Sequence, residues 1–80
     1  MRNVIEQNSN LLGVNLIKTG ENIEALLRQN DMSSYKLANT LGVSQACVSK
    51  WVNGLCPPSV DHLAALKQIF NVSIDDILVI

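Results

Sequence analysis

An all-α domain of five short helices is the fold class that the sequence predicts, on three observations. The chain has 80 residues, of which 48% are hydrophobic but only 4% aromatic, so aliphatic side chains must fill the core. Four serines each follow an apolar residue directly and precede another apolar residue by four places, which is the pattern found at helix N-termini. Gly42 and Gly54 follow short apolar-periodic segments, as left-handed glycines commonly follow helices.

The helices can be placed along the chain in order. The first is predicted over about 20–30, where Ile23 and Leu26 recur at helical spacing before a stop at Asn30–Asp31. The later starts are serine N-caps, each closed by a hydrophobic staple between the residue before the serine and the residue four places after it. These serines are Ser33, Ser44, Ser59 and Ser73. They predict helices over about 34–41, 45–53, 60–70 and 74–78.

The domain organisation follows from these helices. One helical domain is predicted over residues 20–80, preceded by an N-terminal arm over residues 1–19. Two interpretations of the arm stay open: a frayed segment, or an ordered one that packs on this domain or on a second copy.

No apolar run approaches the ~20 residues needed to cross a membrane. Because the polar start also lacks the cleavage site of a signal peptide, we expect a cytoplasmic protein without membrane association.

Charge and cysteine content limit the possible chemistry. The formal net charge is -1, yet residues 32–60 contain no acidic residue and carry Lys36 and Lys50.

Cys47 and Cys56 are expected to be reduced thiols, because secreted scaffolds of this size usually carry four or more cysteines. The single histidine, His62, is expected at the surface. Its spacing from the two cysteines matches no usual set of zinc ligands, so we expect no metal and no cofactor. We expect no enzyme, because no acid–base pair or phosphate-loop motif is evident.

Helices 2 and 3, joined by a short turn containing Gly42, form a helix-turn-helix pattern. Leu37 faces inward with Val48 and Trp51. The outward stripe of helix 3 then consists of Gln45, Ala46, Ser49 and Lys50. An exposed helix fits the major groove of B-DNA, where glutamine can bond adenine, lysine can reach guanine and an alanine methyl can touch the thymine methyl.

Residues 20–78 resemble the phage repressor and Cro-type helix-turn-helix family, the lambda-repressor-like DNA-binding domains. The resemblance rests on "SSYKLANTLGVS", "QACVSKWVNG", "PPSVDHLAAL" and "FNVSIDDIL", in that order. It implies five helices around one core. It also implies that Gln45, Ala46 and Lys50 read base edges, with Ser49 nearby, and that helix 3 lies in the major groove.

Four residues are candidates for contacts to DNA phosphate. The resemblance implies Ser34 and Asn53. The first turns of helices 2 and 4 offer free amides and the positive end of a helix dipole, which adds Ser59, and Lys36 adds a screened attraction. The low positive charge departs from the family pattern, because phosphate neutralisation supplies most non-specific affinity.

The expected function is that of a sequence-specific, repressor-like transcriptional regulator that binds double-stranded DNA. Related repressors read paired half-sites about 34 Å apart as dimers, and apolar Val79 and Ile80 extend past the last helix, so we expect a homodimer. The alternative is a protein-interaction module of the same fold, such as an antitoxin or adaptor, that contacts a protein partner through acidic helices 1, 4 and 5. The acid-free segment favours the regulator, since a pure interaction module has no reason to exclude acids from residues 32–60.

Overall fold

Four α-helices and one 3-10 turn make up the regular structure of the computed structural model, which describes residues 13–80. The helices are α1 (Leu16–Gln29), α2 (Ser34–Leu41), α3 (Gln45–Val52) and α4 (Val60–Phe70), and the 3-10 turn is Ile74–Asp76. The predicted all-α class is confirmed. α2 and α3 pack together as the helix-turn-helix pair, and α1 packs against α3.

Each α-helix and the segment after the 3-10 turn contribute a fully enclosed apolar side chain to the core. These side chains are Ile23, Leu37, Val48, Leu66 and Ile77. The indole of Trp51 is also buried, as the sequence predicts. Because α1, α2, α3, α4 and the C-terminal segment all contribute to one cluster, none of them can bury its apolar face without the others.

Serine caps start the helices as predicted. The hydroxyl oxygens of Ser33, Ser44 and Ser59 each accept a hydrogen bond from the amide three residues on, at 3.0, 3.1 and 3.2 Å. Gly42 ends α2 in the left-handed conformation, with φ of 76°, which a glycine adopts without a Cβ clash. The short turn that sets the angle between α2 and α3 is therefore specified locally, by one glycine and one serine.

Replacing Ser44 by alanine should lower the free energy of unfolding by about 1 kcal/mol, because the amide of Cys47 loses its hydrogen-bond acceptor. Urea denaturation followed by circular dichroism measures this change. Ser49→Ala is the matched control: Ser49 lies exposed in the middle of the same helix, and its replacement should change stability by less than about 0.5 kcal/mol. Equal losses at the two positions would contradict the capping role.

α1 begins at Leu16, so the predicted start near residue 20 is wrong by four residues. Asn15 is the actual N-cap, and its side-chain oxygen accepts from the amide of Lys18 at 3.0 Å. Gly20 therefore lies inside the helix. α3 passes so close to it that a Cβ at this position would be 2.7 Å from the carbonyl oxygen of Val52, so the position requires glycine. The predicted arm over residues 1–19 thus overlaps α1, and residues 1–12 lie outside the described residues.

The predicted fifth helix over about 74–78 is a 3-10 turn of three residues, which corrects the five-helix count. The carboxylate of Asp76 accepts from the amide and from the hydroxyl of Ser73, at 3.0 and 3.1 Å, and so closes the start of this turn. The helix does not continue because the amide of Val79 donates to Thr19 Oγ1 at 3.0 Å instead of to its own turn.

The C-terminal segment is held against the first turns of α1. The amide of Asn15 donates to the carbonyl oxygen of Val79 at 2.7 Å, and Nδ2 of Asn22 donates to the carbonyl oxygen of Ile77 at 3.2 Å. Thr19, which receives the amide of Val79, is itself buried. α1 is therefore fixed on one side by α3 and on the other by residues 77–79.

Candidate nucleic-acid interface

The outer face of α3 carries all four residues that the sequence predicts to read bases. Gln45, Ala46, Ser49 and Lys50 are exposed. Val48 and Trp51 point the opposite way and are buried. Residues three and four places apart share one side of a helix, so the four side chains form one continuous stripe. The stripe extends over about one and a half turns of α3, and its opposite side is packed against the apolar core.

The stripe continues to Asn53, the C-cap residue of α3. Nδ2 of Asn53 donates a hydrogen bond to Ser49 Oγ at 3.2 Å, which brings a predicted phosphate contact directly beside a predicted base contact. Ser49 keeps its hydroxyl hydrogen, and Asn53 keeps its carbonyl oxygen and its second amide hydrogen. Both side chains are exposed and can still bond a ligand.

The first turn of α2 contains two predicted phosphate contacts. Ser34 is the first helical residue and is half-buried, whereas Lys36 is exposed. The amide of Lys36 is already bonded to the capping Ser33, so the amides of Ser34 and Tyr35 are the ones that the helix itself leaves without an acceptor. Tyr35 was not singled out from the sequence, although its place between Ser34 and Lys36 could have identified it. Its side chain is 61% exposed beside those two residues.

The first turn of α4 differs from that of α2, because its cap has a side-chain partner. Ser59 Oγ accepts from the amide of His62 and is also hydrogen-bonded to Nδ1 of the same residue, at 3.1 Å. The ring of His62 lies against Trp51, with centroids 5.3 Å apart and planes tilted by 48°. His62 is therefore half-buried between α3 and α4, which corrects the expectation of a surface residue.

The electrostatic pattern of the sequence persists in the structure. The acidic side chains of the described part lie outside α2 and α3, and all are exposed: Glu21, Glu24, Asp31, Asp61, Asp75 and Asp76. Glu24 pairs with Arg28 at 3.3 Å on α1. No ion pair to another described residue engages Lys36 or Lys50, so their charges remain available to an anionic ligand.

Residues 13–80 contain no group of three histidine, cysteine, aspartate or glutamate side chains that is placed to hold a metal ion. No helix in that range combines the length and the apolar character needed to cross a bilayer. Cys47 and Cys56 are free thiols, both partly buried against the core.

Comparison with known proteins gives a family match over most of the chain. The model of the Cro/C1-type helix-turn-helix DNA-binding domain matches residues 22–80. The HTH-type transcriptional activator BcrR of Enterococcus faecalis is 31% identical over 58 residues, which are 72% of this chain and 28% of BcrR. Antitoxin PezA of Streptococcus pneumoniae is 32% identical over 59 residues, which are 74% of this chain and 37% of PezA.

A putative HTH-type transcriptional regulatory protein of Natronomonas pharaonis is 44% identical over 52 residues, 65% of this chain and 16% of that protein. The matches thus span between 16% and 37% of the relatives' own lengths. No solved structure matches the chain. Since the family model covers 22–80, it includes the whole helix-turn-helix pair, α4 and the C-terminal turn. The chain belongs to the Cro/C1-type helix-turn-helix DNA-binding domain family.

Proposed function

We propose that this chain binds duplex DNA in a sequence-specific manner and regulates transcription, with α3 in the major groove. The observation that carries the proposal is the exposed polar stripe of α3 within a segment free of acidic residues. Gln45 would bond an adenine edge and Lys50 a guanine edge. The Ala46 methyl would contact a thymine methyl, and Ser49 can bond any base edge because its hydroxyl both donates and accepts.

The phosphate contacts would come from the residues that flank this stripe. Lys36 would supply charge, while Ser34, Asn53 and Ser59 would supply hydrogen bonds from helix ends. Each cation that neutralises a phosphate steepens the dependence of log affinity on log salt by about 0.9. With few cations on this face, we expect a shallow salt dependence and modest affinity for DNA of random sequence.

The mode of regulation is part of the same proposal. A homodimer would place two copies of α3 about 34 Å apart on adjacent half-sites, and occupation of a promoter would repress by competing with polymerase. The exposed apolar side chains Leu55 and Ile80 support an interface with a second copy, because such groups gain free energy when covered. The cytoplasmic location expected from the sequence stays a prediction.

Gln45→Ala combined with Lys50→Ala should weaken binding to the preferred duplex about a hundredfold, because each lost base contact is worth about 1–3 kcal/mol. The preferred duplex is isolated first, by selection from random DNA at low salt. Fluorescence anisotropy then measures the dissociation constants of both proteins. Circular dichroism should show an unchanged fold, since both side chains are exposed and face away from the core.

The matched control is Lys67→Ala, which removes an exposed lysine from α4 and leaves the stripe of α3 intact. It should change affinity by less than about twofold at moderate salt, because the attraction from one exposed charge outside α2 and α3 is screened. A double variant that binds as tightly as the control, or a selection that enriches no sequence, would refute sequence reading by α3.

A protein-interaction module is the second candidate, and the 32% identity to antitoxin PezA favours it. The exposed acids of α1 and α4, among them Glu21 and Asp61, would then form the contact surface. The two candidates differ in one measurement. No detectable DNA affinity at low salt, together with a partner complex that survives Gln45→Ala and Lys50→Ala, would favour the interaction module.

A further inference from the structure

Two exposed apolar side chains meet where the first turn of α1 passes the end of α3. A Cβ built on Gly54 would be 3.1 Å from both Cα and Cγ1 of Ile17, so Ile17 lies directly against Gly54. Leu55 is the next residue of the chain. The side chains of Ile17 and Leu55 are 60% and 68% exposed. We call Ile17, Gly54 and Leu55 the α1–α3 patch.

The backbone holds Leu55 in one place, although its side chain faces solvent. The amide of Leu55 donates to the carbonyl oxygen of Lys50 at 2.9 Å, and the amide of Gly54 donates to that of Trp51 at 3.1 Å. Gly54 has the left-handed φ of 73° that this reversal of the chain requires. A side chain on a fixed backbone loses little conformational entropy when a partner covers it. The leucine is therefore presented as a contact residue would be.

The α1–α3 patch adjoins the candidate nucleic-acid interface. Asn53, a proposed phosphate contact, is the C-cap of α3 and lies two residues before Leu55. The hydrogen bond from Leu55 to Lys50 attaches the patch to the end of the stripe on α3. Whatever covers the patch would therefore lie beside the same stretch of duplex that α3 is proposed to bind.

The charges around the patch favour a second copy of this chain as the partner. In a two-fold interface the same surface meets itself, so a charge near the axis would face a like charge. Residues 51–60 contain no charged residue. On α1 the patch is flanked by Lys18 and Glu21, which have opposite signs and add no net charge. The patch thus meets the condition for self-association and offers no net charge to attract a charged partner.

Ile80 belongs to a different surface, although it too is exposed. The preceding residue, Val79, is bonded to Asn15 and Thr19 of α1. Residues two places apart on a helix point in roughly opposite directions, so Ile17 faces away from the side that holds Val79. An interface centred on Leu55 and an interface centred on Ile80 are therefore distinct alternatives, and the charge and position of the patch favour the first.

We propose that the α1–α3 patch is the surface on which a second copy of this chain docks, with the two-fold axis at Leu55. The inference rests on the proposed function, because it supplies the second α3 that paired half-sites require. An axis at this end of α3 sets the two stripes side by side on one face of the dimer, as half-sites about 34 Å apart demand.

The DNA site is incomplete without the second copy. One stripe carries four candidate base contacts, and Lys36 and Lys50 are the only charged residues between residues 32 and 60. A second copy doubles both sets. The patch is small beside the ~800 Å² per partner of a stable interface, so the free dimer should be weak. Duplex DNA holds both copies together, which raises their effective concentration and should complete the dimer.

Sedimentation equilibrium of the full chain tests the surface without DNA, between about 5 and 500 µM, which covers weak interfaces. Leu55→Asp should weaken self-association at least about tenfold, because one substitution places two like charges at the axis. Ile80→Asp is the matched control, since it adds the same charge to another exposed apolar position. It should change the association constant less than about threefold. Circular dichroism checks that both variants stay folded.

Disulfide crosslinking locates the axis independently, and it remains informative if Leu55→Asp does not fold. Leu55→Cys is made in a chain whose Cys47 and Cys56 are replaced by serine, and copper phenanthroline oxidises it in air. Two cysteines can be bridged only when their Cα atoms lie within about 7 Å, so a covalent dimer should form rapidly. Lys67→Cys in the same background places an exposed thiol on α4 and should stay monomeric.

Binding to the selected duplex separates this inference from the proposed function. The unmodified chain should bind as two copies, and Leu55→Asp should bind at least about tenfold more weakly with its stripe intact. A chain that is monomeric up to 500 µM and binds the duplex as one copy would overturn the patch and leave DNA binding standing. Weakening by Ile80→Asp alone, or no crosslink at position 55, would also overturn it. A patch-dependent dimer that binds no DNA would overturn the proposed function instead.

Discussion

Gly20→Ala should lower the free energy of unfolding by about 3 kcal/mol, although alanine is the better helix former. A Cβ at this position would lie 2.7 Å from the carbonyl oxygen of Val52 and would also clash with the carbonyl oxygen of Trp51. These are backbone atoms of α3, so they cannot give way unless the helix moves. The helix-propensity gain of about 1 kcal/mol is smaller than this clash, and the clash decides the sign.

Urea denaturation measures the effect, and Gly42→Ala is the matched control. Gly42 has φ of 76° and nothing within 4 Å of an added Cβ, so its replacement introduces backbone strain without a clash. We expect that variant to lose about 1 kcal/mol. A Gly20→Ala protein at least as stable as the unmodified chain would show that α1 does not lie this close to α3.

Ile77→Ala should destabilise the domain by about 2–4 kcal/mol, because it removes a fully enclosed side chain and leaves a cavity. The residue lies just after the 3-10 turn, where its carbonyl oxygen accepts from Asn22. Loss of its side chain should loosen the segment that holds the first turns of α1. Thermal unfolding with calorimetry measures the loss as a lower melting temperature.

Ile80→Ala provides the comparison three residues further on. Its side chain is 84% exposed in the single chain, so at concentrations low enough to keep the chain monomeric we expect a change of less than about 0.5 kcal/mol. Similar losses at positions 77 and 80 would mean that the C-terminal segment contributes through general apolar character. A large loss at position 77 alone would confirm that one specific side chain anchors it.

Much of the helix-turn-helix pair could be predicted because its determinants are local. The serine caps, the left-handed Gly42 and the apolar spacing of α2 and α3 each act within four or five residues. Exposure of the stripe from Gln45 to Lys50 follows from the same spacing, since Val48 and Trp51 take the opposite side. What this stripe binds stays a prediction.

The role of Gly20 and the length of the last helix could not be predicted in the same way. Gly20 suggests a helix boundary when it is considered alone, but here it provides room for α3. The segment after Ser73 begins as a helix would, yet Val79 bonds to Thr19, 60 residues away. Such partners are remote in sequence, so no local pattern contains them.

By itself, the sequence determined the all-α class, the positions of α2, α3 and α4 after their serine caps, and which side of α3 faces solvent. Hydrogen bonds and apolar spacing within one or two turns are sufficient for those features. Tertiary structure alone decided that glycine is needed inside α1 at position 20, that the last helix stops after one turn, and that His62 lies between Ser59 and Trp51. These features depend on which surfaces meet in the folded chain, and local propensity gives way wherever a remote partner offers a better contact.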